Sequence, residues 1–348
     1  TFFGLHAHGR VPVMLNFTAG EANLKAAIRT AGVKKVLTAK RFIDQAKLDD
    51  LIEELKTVAD IVWLDDVRKT IGLADKLYGL AAGAAPRRFR VKTDPDAPGV
   101  VLFTSGSFGT PKGVVLSQRN LVANARQVAA HIDLKPEWVM FNPLPIFHCF
   151  GLTGGVILPL LQGLKAFEYP SPLHAKQITD LLPQVKASIL FATDTFLNQY
   201  GRVAEPGDFA TLQFVVAGAE KVREETRALF SSKFGAVELL EGYGATEAAP
   251  VVAVNHPDRN APGTVGQILP GMDWKLEPVE GIEGGGRLFL KGPNVMSGYV
   301  TGAEPLAWDP VEEGWLDTGD IVDVDAEGYV TIKGRAKRFA KIGGEMVS

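Results

Sequence analysis

Residues 104–117 read TSGSFGTPKGVVLS and follow the apolar run GVVLF at 99–103. The stretch combines three glycines, five hydroxyl side chains and one lysine. A phosphate-binding loop needs free backbone amides, hydroxyls and a cation, and these residue types supply all three. Taken alone, the stretch is also typical of a glycine- and serine-rich turn between two strands. The rest of the chain has to decide between the two interpretations.

Two common phosphate-loop patterns are excluded here. If the NTPase pattern G-x-x-x-x-G-K-[ST] starts at Gly106, Pro111 stands where the second glycine belongs and Gly113 where a magnesium-binding hydroxyl belongs. Proline has no amide hydrogen to donate, and glycine offers magnesium no side-chain ligand. The dinucleotide-binding pattern also fails, because Gly106, Gly109 and Gly113 have the wrong spacing. Any phosphate bound here is therefore bound by a different arrangement.

The composition indicates a globular protein of about two domains, with 348 residues of which 46% are hydrophobic. A formal charge of -3 gives no attraction to nucleic acid, and the basic clusters at 87–90 and 335–341 are typical of solvated faces. The single cysteine, Cys149, suits a reducing, cytoplasmic compartment, and the six histidines do not have zinc-ligand spacing. Residues 149–164 are too few for a membrane span and predict a core helix.

Short β-rich runs alternate with helical patterns up to about residue 250, which predicts parallel sheets covered by helices. From about Asn255, short strands separated by glycine- and proline-rich turns predict a smaller, barrel-like β unit. We therefore predict an α/β fold with helix-covered, mostly parallel sheets in 1–254 and a β-rich subdomain in 255–333. The predicted strands are 35–38, 61–64, 100–103, 188–193, 214–217, 237–240, 287–290 and 329–332.

Carboxylates accompany glycines in two further motifs. In EGYGATE (241–247), the preceding strand predicts that Thr246 and Glu247 lie at a strand's carboxyl end, where open α/β sheets bind ligands. Glu247 is a candidate magnesium ligand and Tyr243 offers a flat face for a base. In LDTGD (316–320), Asp320 follows a predicted turn and has the geometry to accept ribose hydroxyls, and Arg335 offers a charged fork. A turn with a solvated glutamate and a turn or cap aspartate remain the structural alternatives.

The order of these motifs is more informative than any one of them. Together they resemble the acyl-adenylate-forming (AMP-binding) superfamily of acyl-CoA synthetases, luciferases and nonribosomal adenylation domains. The resemblance covers nearly the whole chain. The motifs are TSGSFGTPKG (104–113), PLPIFHCFG (143–151), AGAEK (217–221), EGYGATE, PGTVG (262–266), GWLDTGD (314–320) and GRAKRFAKIGGE (334–345).

Within the superfamily, the chain looks most like the ligase part of the bacterial bifunctional acyl-[acyl carrier protein] synthetases/2-acylglycerophosphoethanolamine acyltransferases. An H-x-x-x-x-D acyltransferase motif is absent from suitable positions in the sequence. The parent proteins of that family are expected at the cytoplasmic face of the bacterial inner membrane. The segments that carry this likeness are 4–17, 169–174, 214–221, 268–273 and 334–348.

The resemblance implies a two-step reaction with ATP and Mg²⁺. A long-chain fatty carboxylate attacks the α-phosphate of ATP, and a phosphopantetheine thiol of acyl carrier protein then displaces AMP. Charge neutralisation dominates such chemistry. The implied catalytic residues are Lys112, His148, Thr246 and Glu247, with Glu247 as the metal ligand. The implied nucleotide-binding residues are Thr104, Ser105, Gly106, Ser107, Gly109, Thr110, Lys112, Gly218, Ala219, Gly242, Tyr243, Thr246, Asp320 and Arg335.

His148 takes the family position beside the substrate carboxylate, and an apolar setting there favours an uncharged acyl tail in a tunnel past Phe191, Phe196 and Val216. The chain departs from the family pattern at Phe108, where one phosphate-facing hydroxyl is lost. The family's catalytic lysine lies in a C-terminal lid that would follow Ser348. Residues 334–348 are accordingly expected to form a hinge and the start of a truncated lid, in a fragment of low activity.

Two alternatives to acyl-carrier-protein ligation stay open. A free-standing long-chain fatty acid–CoA ligase differs only in its thiol acceptor. In this truncated form, the chain is otherwise a non-catalytic module that binds nucleotide or acyl groups.

Overall fold

The computed structural model describes residues 1–104, 111–235, 237–282, 284–336, 340–342 and 345–347. Backbone contacts divide the chain into two compact units. The first unit is Thr1–Gln118 with Ser297–Pro310, and the second is Arg119–Met296 with Val311–Ser348. The domain boundaries near 254 and 333 were drawn on composition and stay predictions.

The helices and strands follow each other in the order that the sequence suggested. The α-helices are α1 (Phe2–Ala7), α2 (Glu21–Thr30), α3 (Lys40–Ala46), α4 (Asp49–Leu55), α5 (Leu64–Thr70), α6 (Leu73–Ala84), α7 (Pro86–Phe89), α8 (Gln118–His131), α9 (Leu158–Gln162), α10 (Ala175–Gln184), α11 (Asp194–Val203) and α12 (Glu224–Phe234). The strands are β1 (Val13–Met14), β2 (Lys35–Thr38), β3 (Asp60–Trp63), β4 (Pro98–Thr104), β5 (Lys112–Ser117), β6 (Val139–Asn142), β7 (Lys165–Glu168), β8 (Ile189–Ala192), β9 (Phe214–Ala217), β10 (Glu238–Gly244), β11 (Val251–Val254), β12 (Gln267–Ile268), β13 (Asp273–Glu277), β14 (Gly286–Lys291), β15 (Gly298–Val300), β16 (Trp308–Pro310), β17 (Leu316–Val324), β18 (Val330–Arg335), β19 (Ala340–Ile342) and β20 (Glu345–Val347). A π-helix spans Phe150–Ile157, and short 3-10 helices span Phe17–Ala19, Thr246–Ala248 and Glu312–Gly314.

The sheet that contains the opening stretch is largely antiparallel. Among the described strands its order is β1-β4-β5-β15-β16, and only β1 pairs in parallel, with β4. The strand at 100–103 was expected in a mostly parallel sheet. It pairs antiparallel with β5 because only residues 105–111 connect the two strands, whereas a parallel crossover needs a dozen residues or more.

The second unit contains the mostly parallel sheet that the alternating pattern predicted. As far as the chain is described, seven strands lie in the order β12-β11-β10-β9-β8-β6-β7. The strands β7, β6, β8, β9 and β10 are parallel, and β11 and β12 turn back antiparallel. Helices α10, α11 and α12 bury an aromatic core that includes Tyr200, Phe209 and Phe230. The carboxyl ends of the parallel strands therefore meet at one edge, beside the start of β11.

Four further strands of this unit form a small antiparallel sheet, as the short strands and the glycine- and proline-rich turns after Asn255 predicted, and β19 pairs with β20 separately. Strands β13, β14, β17 and β18 pair in that order, and the turn Asp325–Tyr329 joins the last two. The core helix predicted at 149–164 is a π-helix followed by α9. No helix of the described residues is long and apolar enough to cross a membrane.

Candidate functional site

The glycine-rich motif EGYGATE lies at the end of β10, and this strand is longer than the predicted strand 237–240. The strand continues to Gly244, because Gly242 and Tyr243 pair with residues of β11. Thr246 and Glu247 follow in a 3-10 turn. Both side chains therefore lie at the carboxyl end of a sheet strand, the position expected for them, while Glu241–Gly244 lie within the strand and do not follow it.

Glu241 is a buried carboxylate that sequence reasoning missed. It pairs with Arg227 of α12 and accepts hydrogen bonds from the amides of Val222 at 3.2 Å and Gly263 at 3.0 Å. These partners belong to α12, to the loop after β9 and to the PGTVG motif. One side chain thus fixes three segments around β10, and a carboxylate that precedes a glycine-rich strand end was its only sequence signal.

The loop after β9 carries Gly218 and Ala219. The Gly218 amide donates to the carbonyl of Ala192 at 3.1 Å, and a Cβ at Gly218 would lie 2.9 Å from Cε1 of Phe150. Ala219 adopts a left-handed backbone with φ of +67°. The loop therefore depends on glycine for its contact with Phe150, which lies in the π-helix.

Asp320 and Arg335 are register partners on β17 and β18, so Asp320 lies inside a strand and does not follow a turn. The motif bends locally, because Asp317 Oδ1 accepts from the Gly319 amide at 2.9 Å. The carboxylate of Asp320 is buried and bound on both oxygens. Arg335 Nε lies 2.9 Å from Oδ1, and the hydroxyl of Tyr243 donates to Oδ2 at 2.5 Å. Burial, reinforced by the Asp320 charge, raises the pKa of Tyr243 above its usual range.

A cavity of about 390 Å³ gathers many of these residues in the second unit. Its wall includes six of the predicted site residues and a set of apolar side chains. The predicted residues are His148, Gly218, Ala219, Gly242, Tyr243 and Thr246. The apolar set includes Phe196, Val216, Val251 and Val254.

A second cavity of about 40 Å³ shares part of this wall. Phe150, Val216, Val251 and Val254 border both cavities, and Phe191 borders the smaller one. The rings of Phe150 and Phe191 are 5.3 Å apart. Of the predicted tunnel residues, Phe196 and Val216 therefore lie at the larger cavity, and Phe191 and Val216 at the smaller.

The ionisable groups beside the larger cavity favour their neutral forms. His148 has an exposed side chain, yet the protein atoms around it desolvate the ring and lower its pKa. Cys149 is fully buried, which raises the pKa of its thiol to about 12. An uncharged imidazole therefore faces the cavity, and Cys149 is not a nucleophile at neutral pH.

Buried amides hold the segments on which these groups lie. Asn142, at the end of β6, accepts from the Leu144 amide at 3.1 Å and donates to Glu168 at 2.7 Å. Asn124 of α8 exchanges hydrogen bonds of 2.7 and 3.0 Å with the backbone of Val251. Neither amide was predicted from the sequence, because their partners are backbone groups or side chains on distant elements.

The phosphate-loop residues are only partly described. Thr104 and Lys112 are register partners at the ends of β4 and β5, and Nζ of Lys112 lies 4.8 Å from the ring centre of Tyr299. The other predicted loop residues lie outside the described ones, and they are Ser105, Gly106, Ser107, Gly109 and Thr110.

For a metal ion, the part of the chain that is described offers no cluster of three or more His, Cys, Asp or Glu side chains. Magnesium needs no such cage when it binds with a nucleotide. One or two carboxylates together with substrate phosphates suffice. Glu247, beside the cavity residue Thr246, fits that requirement.

The profile of the family described as "AMP-binding enzyme" matches residues 1–300. The mitochondrial medium-chain acyl-CoA ligase ACSF2 of Mus musculus is 27% identical, over 97% of this chain and 61% of that enzyme. The medium-chain fatty-acid–CoA ligase of Escherichia coli K12 is 31% identical, over 74% of this chain and 46% of that enzyme. The chain thus spans about half of the length of these relatives.

Solved structures confirm the predicted fold class. ATP-bound MatB from Rhodopseudomonas palustris matches with a TM-score of 0.79 and 27% identity, over 99% of this chain and 68% of that one. The O-succinylbenzoate coenzyme A synthetase MenE of Bacillus subtilis, in complex with ATP and magnesium, matches with a TM-score of 0.80 over 100% of this chain and 69% of that one. At 20% identity, this second likeness shows the fold alone. ATP and Mg²⁺, the predicted cofactors, are the ligands named for MenE. With 300 matched residues and the adenylate-forming fold, this chain is a member of the AMP-binding enzyme family.

Proposed function

We propose that the chain activates a fatty carboxylic acid with ATP and Mg²⁺ to an acyl adenylate, from which a thiol then displaces AMP. The observation that carries this proposal is the cavity of about 390 Å³. Gly218, Ala219 and Tyr243 give it a flat, polar side suited to a nucleotide base. Phe196 and Val216 give it an apolar side suited to an acyl tail.

The proposed roles of the site residues follow from the charge and polarity of their side chains. Glu247 would hold Mg²⁺, which would supply the positive charge that the attack of one anion on another requires. Thr246 is proposed to donate to a phosphate oxygen, and Asp320 with Arg335 to bind the ribose hydroxyls. Neutral His148 lets the substrate carboxylate approach without fixing it as an ion pair. The loop from Thr104 to Lys112 is proposed to bind the β- and γ-phosphates.

The acceptor thiol and the acyl length are the finer parts of the proposal. The segments 4–17, 169–174 and 268–273 support a bacterial acyl-carrier-protein ligase for long-chain acids, in the cytoplasm. The named activities of the relatives from mouse and Escherichia coli support coenzyme A and medium-chain acids. We favour acyl carrier protein and keep coenzyme A as the alternative acceptor.

The test begins with binding. Calorimetry of the chain with ATP, in the presence and absence of Mg²⁺, measures nucleotide binding, and titration with octanoate and palmitate measures the acid. Acyl-AMP and thioester are then quantified after addition of coenzyme A or acyl carrier protein. Nucleotide binding without binding of either acid would support the alternative in which the chain is a non-catalytic nucleotide-binding module. Absence of nucleotide binding would overturn the proposal.

A further inference from the structure

Helix α6 presents an apolar face that nothing in the first unit covers. Of its residues, none is buried, and Leu73, Leu77 and Leu80 are 74%, 57% and 71% exposed. Their spacing of four and three residues places the three leucines on one face of the helix. Exposed leucines in such a row are unfavourable in water and mark an interaction surface.

The opposite side of α6 faces the protein. Tyr78 contacts Phe89 of α7 edge to face, with ring centres 5.3 Å apart. Tyr78 and Ala82, one helical turn apart, both line a cavity of about 660 Å³ in the first unit. The leucine face is therefore the one that points away from the rest of the unit.

The segment that contains α6 is rich in cations. Residues 72–92 contain Lys76, Arg87, Arg88, Arg90 and Lys92 against one carboxylate, Asp75, a net charge of +4 in a chain of -3. Asp75 accepts a hydrogen bond from the amide of Gly72 at 2.8 Å. Among the described residues, none of the five cations forms an ion pair. Arg90 and Lys92 line the cavity on the opposite side of α6, whereas Lys76 lies three residues from Leu73 and four from Leu80, on the leucine side.

In the described part of the chain, the neighbouring carboxylates Asp66 and Asp94 form no ion pair with these cations. Asp66 pairs with Lys40 and Lys69, and Asp94 accepts from the amide of Asp96. The positive charges of Lys76, Arg87 and Arg88 therefore remain available to an external anion.

We propose that residues 72–92 form a docking surface for an anionic lipid bilayer. The leucines would enter the headgroup boundary while Lys76, Arg87 and Arg88 contact lipid phosphates. A helix of 12 residues is about 18 Å long, too short to span a bilayer of about 30 Å, so α6 lies in the plane of the surface. Nucleic acid offers the leucines no apolar partner.

The experiment is co-sedimentation of the 348-residue protein with vesicles. One set is phosphatidylcholine alone, and the other contains equal parts of phosphatidylcholine and phosphatidylglycerol. We expect binding to the anionic vesicles, little binding to the neutral ones, and weaker binding as salt is added. Changing Arg87→Glu with Arg88→Glu should lower the affinity by about 30-fold or more, and Leu73→Ser with Leu77→Ser and Leu80→Ser by at least about tenfold.

Matched controls separate this surface from general effects. Lys34→Glu with Lys35→Glu changes the net charge equally, and Leu160→Ser with Leu173→Ser removes leucines that are 61% and 69% exposed elsewhere. Both controls should bind as the parent does. Circular dichroism of each variant establishes that it is folded.

Three outcomes would overturn the proposal. Equal binding to both vesicle types would show that binding does not depend on anionic lipid. Unchanged binding of the arginine and leucine variants would show that residues 72–92 do not form the docking surface. Sedimentation equilibrium that shows a dimer dissociated by the leucine changes would assign the face to a second copy of the chain. This inference does not depend on the proposed ligase activity, because vesicle binding is measured without ATP.

Discussion

The hydroxyl of Tyr243 donates a 2.5 Å hydrogen bond to Oδ2 of Asp320, a residue 77 positions further along the chain. Arg335 occupies the other oxygen of the same carboxylate. The aromatic wall of the cavity and the proposed ribose-binding pair are therefore mechanically one unit. Displacement of any of the three side chains alters the hydrogen bonding of the other two.

Tyr243→Phe removes this donor and leaves a buried carboxylate oxygen with one partner fewer. We expect the free energy of unfolding to fall by about 1 to 3 kcal/mol, measured by urea denaturation. Tyr169→Phe is the control, because that hydroxyl contacts His174 in an exposed position. Equal stability of the parent and the Tyr243 variant would show that the bond contributes nothing.

Arg335→Ala tests ribose recognition separately from stability. The arginine side chain is 62% exposed, but the carboxylate of Asp320 that it pairs with is buried, so its loss should lower the unfolding free energy by about 1 to 3 kcal/mol. We expect the parent to bind ATP more tightly than 2′-deoxy-ATP and the variant to lose most of that preference in calorimetry. Arg287→Ala, which breaks an exposed pair with Asp317 on the same sheet, should keep the preference. If both variants discriminate equally, Arg335 does not contact ribose.

Glu247→Gln removes the negative charge proposed to bind magnesium and keeps nearly the same shape. ATP affinity in the presence of Mg²⁺ should fall to the value measured with EDTA, while the EDTA value itself stays unchanged. Glu238→Gln at the start of β10 is the control, since its side chain is exposed and contacts Asn260. A Mg²⁺-dependent gain in affinity that survives in the Glu247 variant would contradict the assignment.

Glu168 should make stability depend on pH. Desolvation raises the pKa of this carboxyl to about 7, against an opposing hydrogen bond from Asn142. Because the folded protein holds the proton more tightly than the unfolded chain, stability is highest below about pH 4.5 and falls as the pH rises to about 7. The residue keeps much of its surface in water, so we expect a loss of only about 1 kcal/mol.

In Glu168→Gln, this fall in stability between about pH 4.5 and pH 7 should disappear. Chemical denaturation at several pH values measures it, with Glu205→Gln as an exposed control. Parallel pH profiles of the parent and the Glu168 variant would show that the carboxyl does not titrate as described.

We expect the 348-residue chain to bind ATP and a fatty acid but to form the acyl adenylate only slowly. None of the residues described around the larger cavity is lysine or arginine, so no side-chain cation there supplements Mg²⁺ in neutralising the charge that develops at the α-phosphate. Loss of one such group costs about 10²- to 10³-fold in rate. Fatty-acid-dependent exchange of labelled pyrophosphate into ATP, run beside the Escherichia coli ligase, measures the difference. Comparable rates would show that the chemistry needs no further cation.

The sequence predicted the strands well where they are short apolar runs between turns. The direction of β4 was missed, although the seven residues that separate it from β5 already exclude a parallel crossover. The extension of β10 to Gly244 was missed because it arises from pairing with β11, which follows after a turn of six residues. Tertiary pairing decided both.

The sequence motifs predicted residues that line the candidate site. They did not predict the buried polar side chains that hold the neighbouring segments in place. Six predicted residues line one cavity, yet their roles in binding and catalysis stay predictions. Glu241 and Asn124 were overlooked because a buried polar side chain is recognised only by its partners, and these partners lie 14 to 127 residues away. Periodicity and composition carry no information about such contacts.

The two cavities are lined in part by different residues, so their linings can change independently during evolution. Ala125 and Leu158 border it without bordering the larger cavity, and Tyr243 and Thr246 do the reverse. Substitutions at Ala125 or Leu158 change the space beyond Phe150 while Tyr243 and Thr246 stay as they are. If the chain activates a fatty acid as proposed, a lineage can diversify its choice of acid by substitutions at a few hydrophobic positions while selection keeps the proposed nucleotide-binding residues unchanged.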